Sequence, residues 1–98
     1  MMNLPLNIDF TGKVVVVTGA GGVLCGDMAR AYAQAGAKVA ALDLNEEAVL
    51  KLAAELTAEG FTCIGYKANV LDAEALEAVH QAVLNDLGPC DILINGAG

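Results

Sequence analysis

Positively charged residues are scarce in this sequence. Its 98 residues include five Lys and Arg against 12 Asp and Glu, which gives a net charge of −7, and the basic residues are scattered along the chain. Proteins that bind nucleic acid or anionic membranes carry a cluster of positive charge that attracts phosphate groups. The composition therefore argues against nucleic acid and against a membrane surface as partners of this protein.

Cysteines and long hydrophobic runs are also limited. The three cysteines, Cys25, Cys63 and Cys90, are an odd number without short paired spacings, so the sequence predicts neither a disulfide framework nor a zinc site. The N-terminal region has no basic segment, and each apolar run is far shorter than the roughly 20 residues that span a membrane. We therefore expect no metal, no signal peptide, no membrane span and a reduced, cytoplasmic location.

The chain is nevertheless very apolar for its length. Hydrophobic residues make up 56% of it, whereas a small domain keeps a large fraction of its residues at the surface. Its last residues also follow directly on a buried-strand pattern. We therefore expect residues 1–98 to be the N-terminal part of a single larger domain, with surface left to cover.

Strand and helix patterns alternate along the chain. Apolar, β-branched runs without polar alternation predict buried strands, and apolar residues at helical spacing predict helices between them. The predicted strands are residues 13–18, 38–43, 62–67 and 91–95, and the predicted helices are residues 24–35, 46–59 and 73–87. Asn45 and Asp72 are expected to cap the second and third helices, and a glycine is expected to end each of the three.

This alternation predicts an α/β fold of the Rossmann type, a doubly wound parallel sheet with helices on both faces. The expected strand order is 3-2-1-4, because the fourth strand of such a sheet returns beside the first. Ligands bind in the crevice between the carboxyl ends of those two strands. The residues that follow the first strand and those that follow the fourth are therefore expected to meet there.

A glycine-rich turn connects the first strand to the first helix. Gly19, Gly21 and Gly22 allow the backbone to turn sharply and to approach a ligand closely, and the N–H groups at the helix start favour an anion. Asp43 lies 24 positions after Gly19. Dinucleotide sites place a carboxylate about 20 residues on, where it accepts hydrogen bonds from the adenosine ribose. The spacing predicts a dinucleotide site.

Several segments together resemble the short-chain dehydrogenase/reductase family over nearly the whole chain. They are Phe10-Thr11-Gly12-Lys13, Thr18-Gly19, Asp43, Asn69-Val70 and Asn95-Gly96-Ala97-Gly98. The resemblance implies NAD(P)-dependent oxidation of an alcohol, or reduction of a carbonyl, in a small-molecule substrate. It also implies that the intact protein is a homo-oligomer.

The resemblance further implies which residues hold the cofactor. The implied diphosphate ligands are Gly19, Gly21, Gly22, Val23 and Leu24; Asp43 and Leu44 lie at the adenosine ribose; Asn69 and Val70 flank the adenine; Asn95, Gly96 and Ala97 line the ribose on the nicotinamide side. Asp43 repels a 2′-phosphate, and Leu44 and Asn45 offer no cation to bind one. The expected cofactor is therefore NAD rather than NADP.

The sequence departs from the family's commonest pattern in the glycine turn and after the fourth strand. Val23 and Cys25 stand at the second and third glycines of the usual Thr-Gly-x-x-x-Gly-x-Gly, and we interpret Cys25 as a small residue that packs helix against strand. Gly96 replaces the second Asn of the usual Asn-Asn-Ala-Gly, and Asn69 replaces an Asp. The segment 22–26 is similar to a branch that includes sugar-acid oxidoreductases acting on mannonate or fructuronate.

The residues that perform the family's chemistry do not occur in these 98 residues. The family uses a Tyr, a Lys four residues later and a Ser, but Gly36 and Val70 stand four residues after Tyr32 and Tyr66, and the sequence has no Ser. We therefore expect the chain to carry the cofactor-binding half and no catalytic residue. Two alternatives stay open: a dinucleotide-binding module without turnover, and a relative of the nucleotide-sugar epimerases, whose Thr-Gly-x-x-Gly spacing Gly22 also fits.

Overall fold

The computed structural model describes residues 9–69 and 71–96. These residues form strands and helices in strict alternation: β1 (Val14–Thr18), α1 (Val23–Gln34), β2 (Lys38–Asp43), α2 (Glu46–Ala58), β3 (Thr62–Lys67), α3 (Ala73–Asp86) and β4 (Ile92–Asn95). Every boundary lies within one residue of its predicted position. The two periodicities of the sequence therefore locate the elements correctly.

The four strands form one parallel sheet in the order β3-β2-β1-β4. This confirms the predicted order and places β1 between β2 and β4. Thr18, the last residue of β1, is paired with Leu42 on one side and with Asn95 on the other. The carboxyl ends of β1, β2 and β4 therefore lie at the same edge of the sheet.

Alternate residues of the central strands face two separate cores. On one face, α1 and α2 cover the sheet, and the buried residues there include Val15, Val17, Val39, Ala41, Ala29, Val49 and Leu56. On the other face α3 packs alone, with Val14, Val16, Ala40, Leu42, Val83 and Leu87 buried. Because both faces of β1 and β2 are covered, these strands need apolar residues at consecutive positions.

The predicted capping residues act as expected. The side chain of Asn45 accepts a hydrogen bond from the Ala48 N–H, and that of Asp72 accepts from Glu74 and Ala75. Each helix is followed by a glycine with positive φ, as at Gly36, where φ is +99°. These local signals set where the chain leaves each helix and turns into the next strand.

Within the described residues, none of the helices is both long enough and apolar enough to cross a bilayer.

Candidate functional site

The predicted site residues gather at the carboxyl edge of the sheet. The glycine turn follows β1, Asp43 ends β2, Asn69 follows β3, and Asn95 with Gly96 ends β4. The predicted meeting of the segment after β1 with the end of β4 is confirmed: the Gly96 N–H donates at 3.0 Å to the hydroxyl of Thr18, directly before the turn, and the Cys25 side chain lies against Gly96. Two predicted residues, Val70 and Ala97, lie outside the described residues.

The glycine turn brings the start of α1 to the edge of the sheet. Gly19 has a φ of +70°, and its carbonyl oxygen accepts a hydrogen bond from the Gly22 N–H. Helix α1 then begins at Val23, with Gly22 as its N-cap. Gly22 has no side chain that could cap the helix, and the first turn of α1 holds no acidic residue. The first N–H groups of α1 therefore have no capping side chain from Gly22, and an anion at this edge of the sheet could accept their hydrogen bonds.

Asp43 is held against the glycine turn by two backbone hydrogen bonds. One carboxylate oxygen accepts from the Gly21 N–H at 2.9 Å, and the other accepts from the Asn45 N–H at 2.8 Å. A Cβ on Gly21 would lie 2.9 Å from the Asp43 Cγ, so position 21 admits only glycine while the carboxylate stays in place. A carboxylate has about four acceptor sites. Asp43 therefore keeps acceptor capacity for the two hydroxyls of a ribose.

Thr18, which opens the Thr18-Gly19 motif, is a further polar residue at this edge of the sheet. Its hydroxyl donates to the side-chain oxygen of Asn95 at 3.0 Å and accepts from the Gly96 N–H. The residue is 5% exposed, and it is the polar residue that ends the apolar run of β1. That buried hydroxyl joins β1 to β4 at the floor of the crevice. Its position opposite Asn95 in the predicted strand order is the signal that could have identified it.

Asn69 lies at the same edge, but its side chain is used locally. Its carbonyl oxygen accepts a hydrogen bond from the Leu71 N–H at 3.0 Å, which shapes the turn into α3. The Ala68 N–H donates to the carbonyl oxygen of Asp43 and joins this turn to the end of β2. The loop that would flank an adenine is therefore fixed to the strand that carries the carboxylate.

Exposed apolar side chains surround this edge. Val23 is 87% exposed, Leu24 69%, Leu44 62% and Leu71 92%. Apolar side chains of this size are usually covered, and several together at one edge indicate a contact surface. Val23 and Leu24 begin α1 after the glycine turn, Leu44 follows Asp43, and Leu71 precedes α3. A flat ring or a second segment of protein would cover these side chains.

A groove of about 450 Å³ lies between α3 and the sheet and opens near Thr18 and Asn95. Its helix side is apolar and includes Leu76, Val79 and Val83. His80 also lines the groove. Its position beside the apolar stripe of its helix predicts a packed or half-exposed side chain, but the structure shows it exposed. Cys90, expected to be buried or half-buried, is exposed because it lies in the surface turn before β4.

Metal binding finds no geometric basis here. Among residues 9–69 and 71–96, three or more His, Cys, Asp or Glu side chains do not gather closely enough to hold a metal ion.

Comparison with known proteins assigns the fold to a family. The model of the short-chain dehydrogenases matches residues 13–98, which is most of the chain. The chain belongs to the short-chain dehydrogenase family. The resemblance inferred from the glycine turn, Asp43 and the end of the fourth strand is thereby confirmed.

Short-chain dehydrogenases of several kinds are similar to this chain. It is 45% identical, over 99% of its length, to an uncharacterized oxidoreductase of Haemophilus influenzae, and it covers 34% of that protein. It is 41% identical to the D-threitol dehydrogenase of Mycolicibacterium smegmatis, with 95% of the chain and 37% of the relative aligned. The chain thus spans about a third of the length of the curated relatives it matches.

Solved structures of the family superimpose closely on this chain. A candidate D-mannonate oxidoreductase from Haemophilus influenzae, crystallised with bound NAD, matches with a TM-score of 0.91 and 46% identity, over 94% of this chain and 33% of that one. A hydroxysteroid dehydrogenase from Escherichia coli matches with a TM-score of 0.89 and 30% identity, over 94% of this chain and 39% of that one. The Rossmann-type sheet in the order 3-2-1-4 is therefore the family's arrangement.

Proposed function

We propose that the chain is the NAD-binding part of an oxidoreductase that moves a hydride between NAD and an alcohol or carbonyl substrate. The observation that carries the proposal is the Asp43 carboxylate, fixed by the N–H groups of Gly21 and Asn45 beside the uncapped start of α1. This arrangement offers an acceptor for ribose hydroxyls next to donors for a diphosphate.

The side chains around Asp43 favour NAD over NADP. Leu44 and Asn45 follow it, and both are exposed and uncharged. A 2′-phosphate placed there would meet the Asp43 carboxylate, and neither Leu44 nor Asn45 offers it a cation. When bound, NAD would supply the hydride acceptor; Gly19, Gly21, Gly22, Val23 and Leu24 would hold its diphosphate, with Asn69 and Val70 at the adenine and Asn95, Gly96 and Ala97 at the second ribose.

The acid/base chemistry is proposed to lie outside these 98 residues. Tyr66 donates its hydroxyl hydrogen to Asp86 at 2.8 Å, and burial together with this carboxylate raises the pKa of Tyr66 above its ordinary value. Tyr32 packs edge-on against Phe10, with ring centroids 5.1 Å apart. Both arrangements support structural roles. We therefore propose that residues 1–98 are the N-terminal part of one longer Rossmann domain, and that relatives about three times as long contain the remainder.

The proposed substrate is a sugar acid of the mannonate or fructuronate type. The segment 22–26 is similar to that branch, and the solved NAD-bound relative described above is a candidate D-mannonate oxidoreductase. The 41% identity with D-threitol dehydrogenase supports a polyol as the second substrate class. Initial rates of NADH formation with mannonate and D-threitol, and of NADH oxidation with fructuronate, separate these two classes.

Location and assembly complete the proposal. We place the protein in the cytoplasm as a homo-oligomer, with no nucleic acid and no membrane as partner. The exposed thiol of Cys90 and the absence of disulfides among the described residues support a reducing compartment. Cell fractionation, and size-exclusion chromatography with light scattering, test these two points separately.

Calorimetric titration tests the cofactor assignment. The titration uses the full gene product that carries this sequence, which is called the intact protein below. We expect NAD and NADH to bind more tightly than NADP and NADPH, because Asp43 rejects the 2′-phosphate. Tighter binding of NADPH would overturn the assignment. The 98-residue chain alone should form no NADH from any substrate, and turnover by it would overturn the placement of the catalytic residues.

A further inference from the structure

The space beside Gly96 is filled by the side chain of Cys25. A Cβ built on Gly96 would overlap the Cys25 sulfur, closer than real Cβ atoms approach any heavy atom. The same Cβ would lie 3.0 Å from the Thr18 carbonyl oxygen, which is tighter than most real Cβ contacts, and 3.5 Å from the Cys25 Cβ, which is ordinary contact. The Cys25 sulfur is therefore the most severe obstacle to a side chain at position 96.

The two residues stand on opposite walls of the crevice. Cys25 is in the first turn of α1, and Gly96 follows β4 directly. Gly96 cannot retreat without breaking its hydrogen bond to the Thr18 hydroxyl, which also holds Asn95. Cys25 cannot retreat freely either, because it packs against the core beneath α1 and α2. The Cys25 thiol therefore lies between α1 and the backbone that follows β4, and neither segment can move away freely.

The sequence shows a reciprocal exchange at the same two positions. Cys25 stands where the resembled pattern has a glycine, and Gly96 stands where that pattern has an Asn. Relative to that pattern, α1 carries an additional side chain at position 25, and the segment after β4 lacks one at position 96. A contact in which one thiol fills the gap explains why both departures occur in one chain.

We propose that Cys25 and Gly96 act as one positioning pair whose combined size sets the separation of α1 from the end of β4, and with it the affinity for NAD. The choice of NAD as the ligand rests on the proposed function, whereas the packing contact between Cys25 and Gly96 is independent of it. A side chain added at position 96 forces the two walls apart, whereas removing the sulfur first relieves the most severe overlap and leaves only the close approach to the Thr18 carbonyl oxygen. Cys25 acts here by its volume and not by thiol chemistry.

A double-mutant cycle on the intact protein tests the pair. We expect Gly96→Ala to weaken NAD binding about tenfold or more, because adding an atom to a packed contact displaces its neighbours. Cys25→Ala alone should weaken NAD binding by a smaller factor than Gly96→Ala does, and Cys25→Ala/Gly96→Ala should return to within about threefold of Cys25→Ala. Cys90→Ala/Gly96→Ala, which removes a remote exposed thiol, should remain as weak as Gly96→Ala.

Binding of 5′-AMP separates positioning from a general loss of structure. AMP would occupy the Asp43 side of the site, so we expect Gly96→Ala to alter its affinity less than about twofold while NAD binding falls. Equal losses for AMP and NAD would overturn the positioning role, as would additive effects in the cycle or full NAD affinity in Gly96→Ala.

Thermal unfolding keeps the test decisive if Gly96→Ala folds poorly. The midpoint should then be restored by Cys25→Ala and not by Cys90→Ala, and failure of that selective rescue would overturn the pair. If the unmodified protein does not bind NAD, the proposed function fails. The unfolding midpoints of the same variants still show whether Cys25 and Gly96 are coupled. If the two residues are coupled in stability but not in NAD affinity, the positioning role is overturned.

Discussion

Replacing Asp43 by Asn should shift the cofactor preference toward NADP. The carboxylate lies between the N–H groups of Gly21 and Asn45, at the position proposed for the adenosine ribose. Asn has nearly the same size and keeps one acceptor, so the substitution removes chiefly the charge. One of the two backbone hydrogen bonds is lost, which costs about 1 kcal/mol in a partly exposed site where water can replace it.

The size of the shift follows from the charge. A 2′-phosphate carries about two negative charges, and it would lie about 5 Å from the carboxylate. At an effective dielectric constant between about 40 and 80, their repulsion is about 2–3 kcal/mol. Removing it should raise NADP affinity about 30-fold. NAD should lose a charge-assisted ribose hydrogen bond, or about fivefold in affinity. The ratio of the two affinities should therefore change by about 150-fold.

Titrations with NAD and NADP at two salt concentrations measure this effect. The gain in NADP affinity should shrink at about 1 M salt, where the screening length is about 3 Å. Glu77→Gln is the matched control, because Glu77 is an exposed acid on α3 whose carboxylate accepts a hydrogen bond from the Gln81 side chain. An unchanged affinity ratio in Asp43→Asn would refute the reasoning, and so would an equal change in Glu77→Gln.

Adding a side chain at Gly65 should destabilise the protein, because its Cβ would lie 2.6 Å from the Val49 carbonyl oxygen. We expect Gly65→Ala to lower the free energy of unfolding in urea by about 2 kcal/mol, and a loss under about 0.5 kcal/mol would contradict this. The 98-residue chain alone should associate, since within the described residues β4 pairs only with β1 and its Leu93 is 62% exposed. Light scattering should detect oligomers that Leu93→Lys reduces; a monodisperse monomer that unfolds cooperatively would count against the prediction. Burial raises the pKa of Cys63 from 9.0 to about 11. The unfolded thiol ionises first, so stability is full below pH 9 and falls as the pH rises toward 11, a fall that Cys63→Ala should reduce if the reasoning is correct.

The architecture could be predicted because its signals are local. A β-branched run such as Val14 to Val17, a capping residue such as Asn45 and a glycine after each helix fix element boundaries within a few residues. The strand order is that of a doubly wound sheet, in which the fourth strand returns beside the first. The spacing of Gly19 and Asp43 then places the site at one edge of the sheet.

The contacts within the site could not be predicted, because they depend on side-chain placement between distant segments. The Asp43 carboxylate is bonded to Gly21, and the Thr18 hydroxyl to Gly96, across separate connections of the fold. The overlap of a Gly96 side chain with Cys25 depends on the position of a single sulfur atom. Sequence spacing locates residues to a few ångströms at best, so it predicts which residues gather at this edge of the sheet but not the bonds among them.

The pairing of β1 with β4 has a consequence for the order in which this fold assembles. Val15 pairs with Val39, and Val39 with Cys63, so each of these contacts closes 24 residues of chain. Val15 pairs with Ile92 across 77 residues, which costs about 1 kcal/mol more in loop-closure entropy. We therefore expect β1, β2 and β3 to associate as soon as they leave the ribosome and β4 to join last. Local unfolding should follow the reverse order, with β4 separating first. The Gly96 N–H, which is bonded to the Thr18 hydroxyl, should therefore exchange with solvent while the amides of β1, β2 and β3 remain protected.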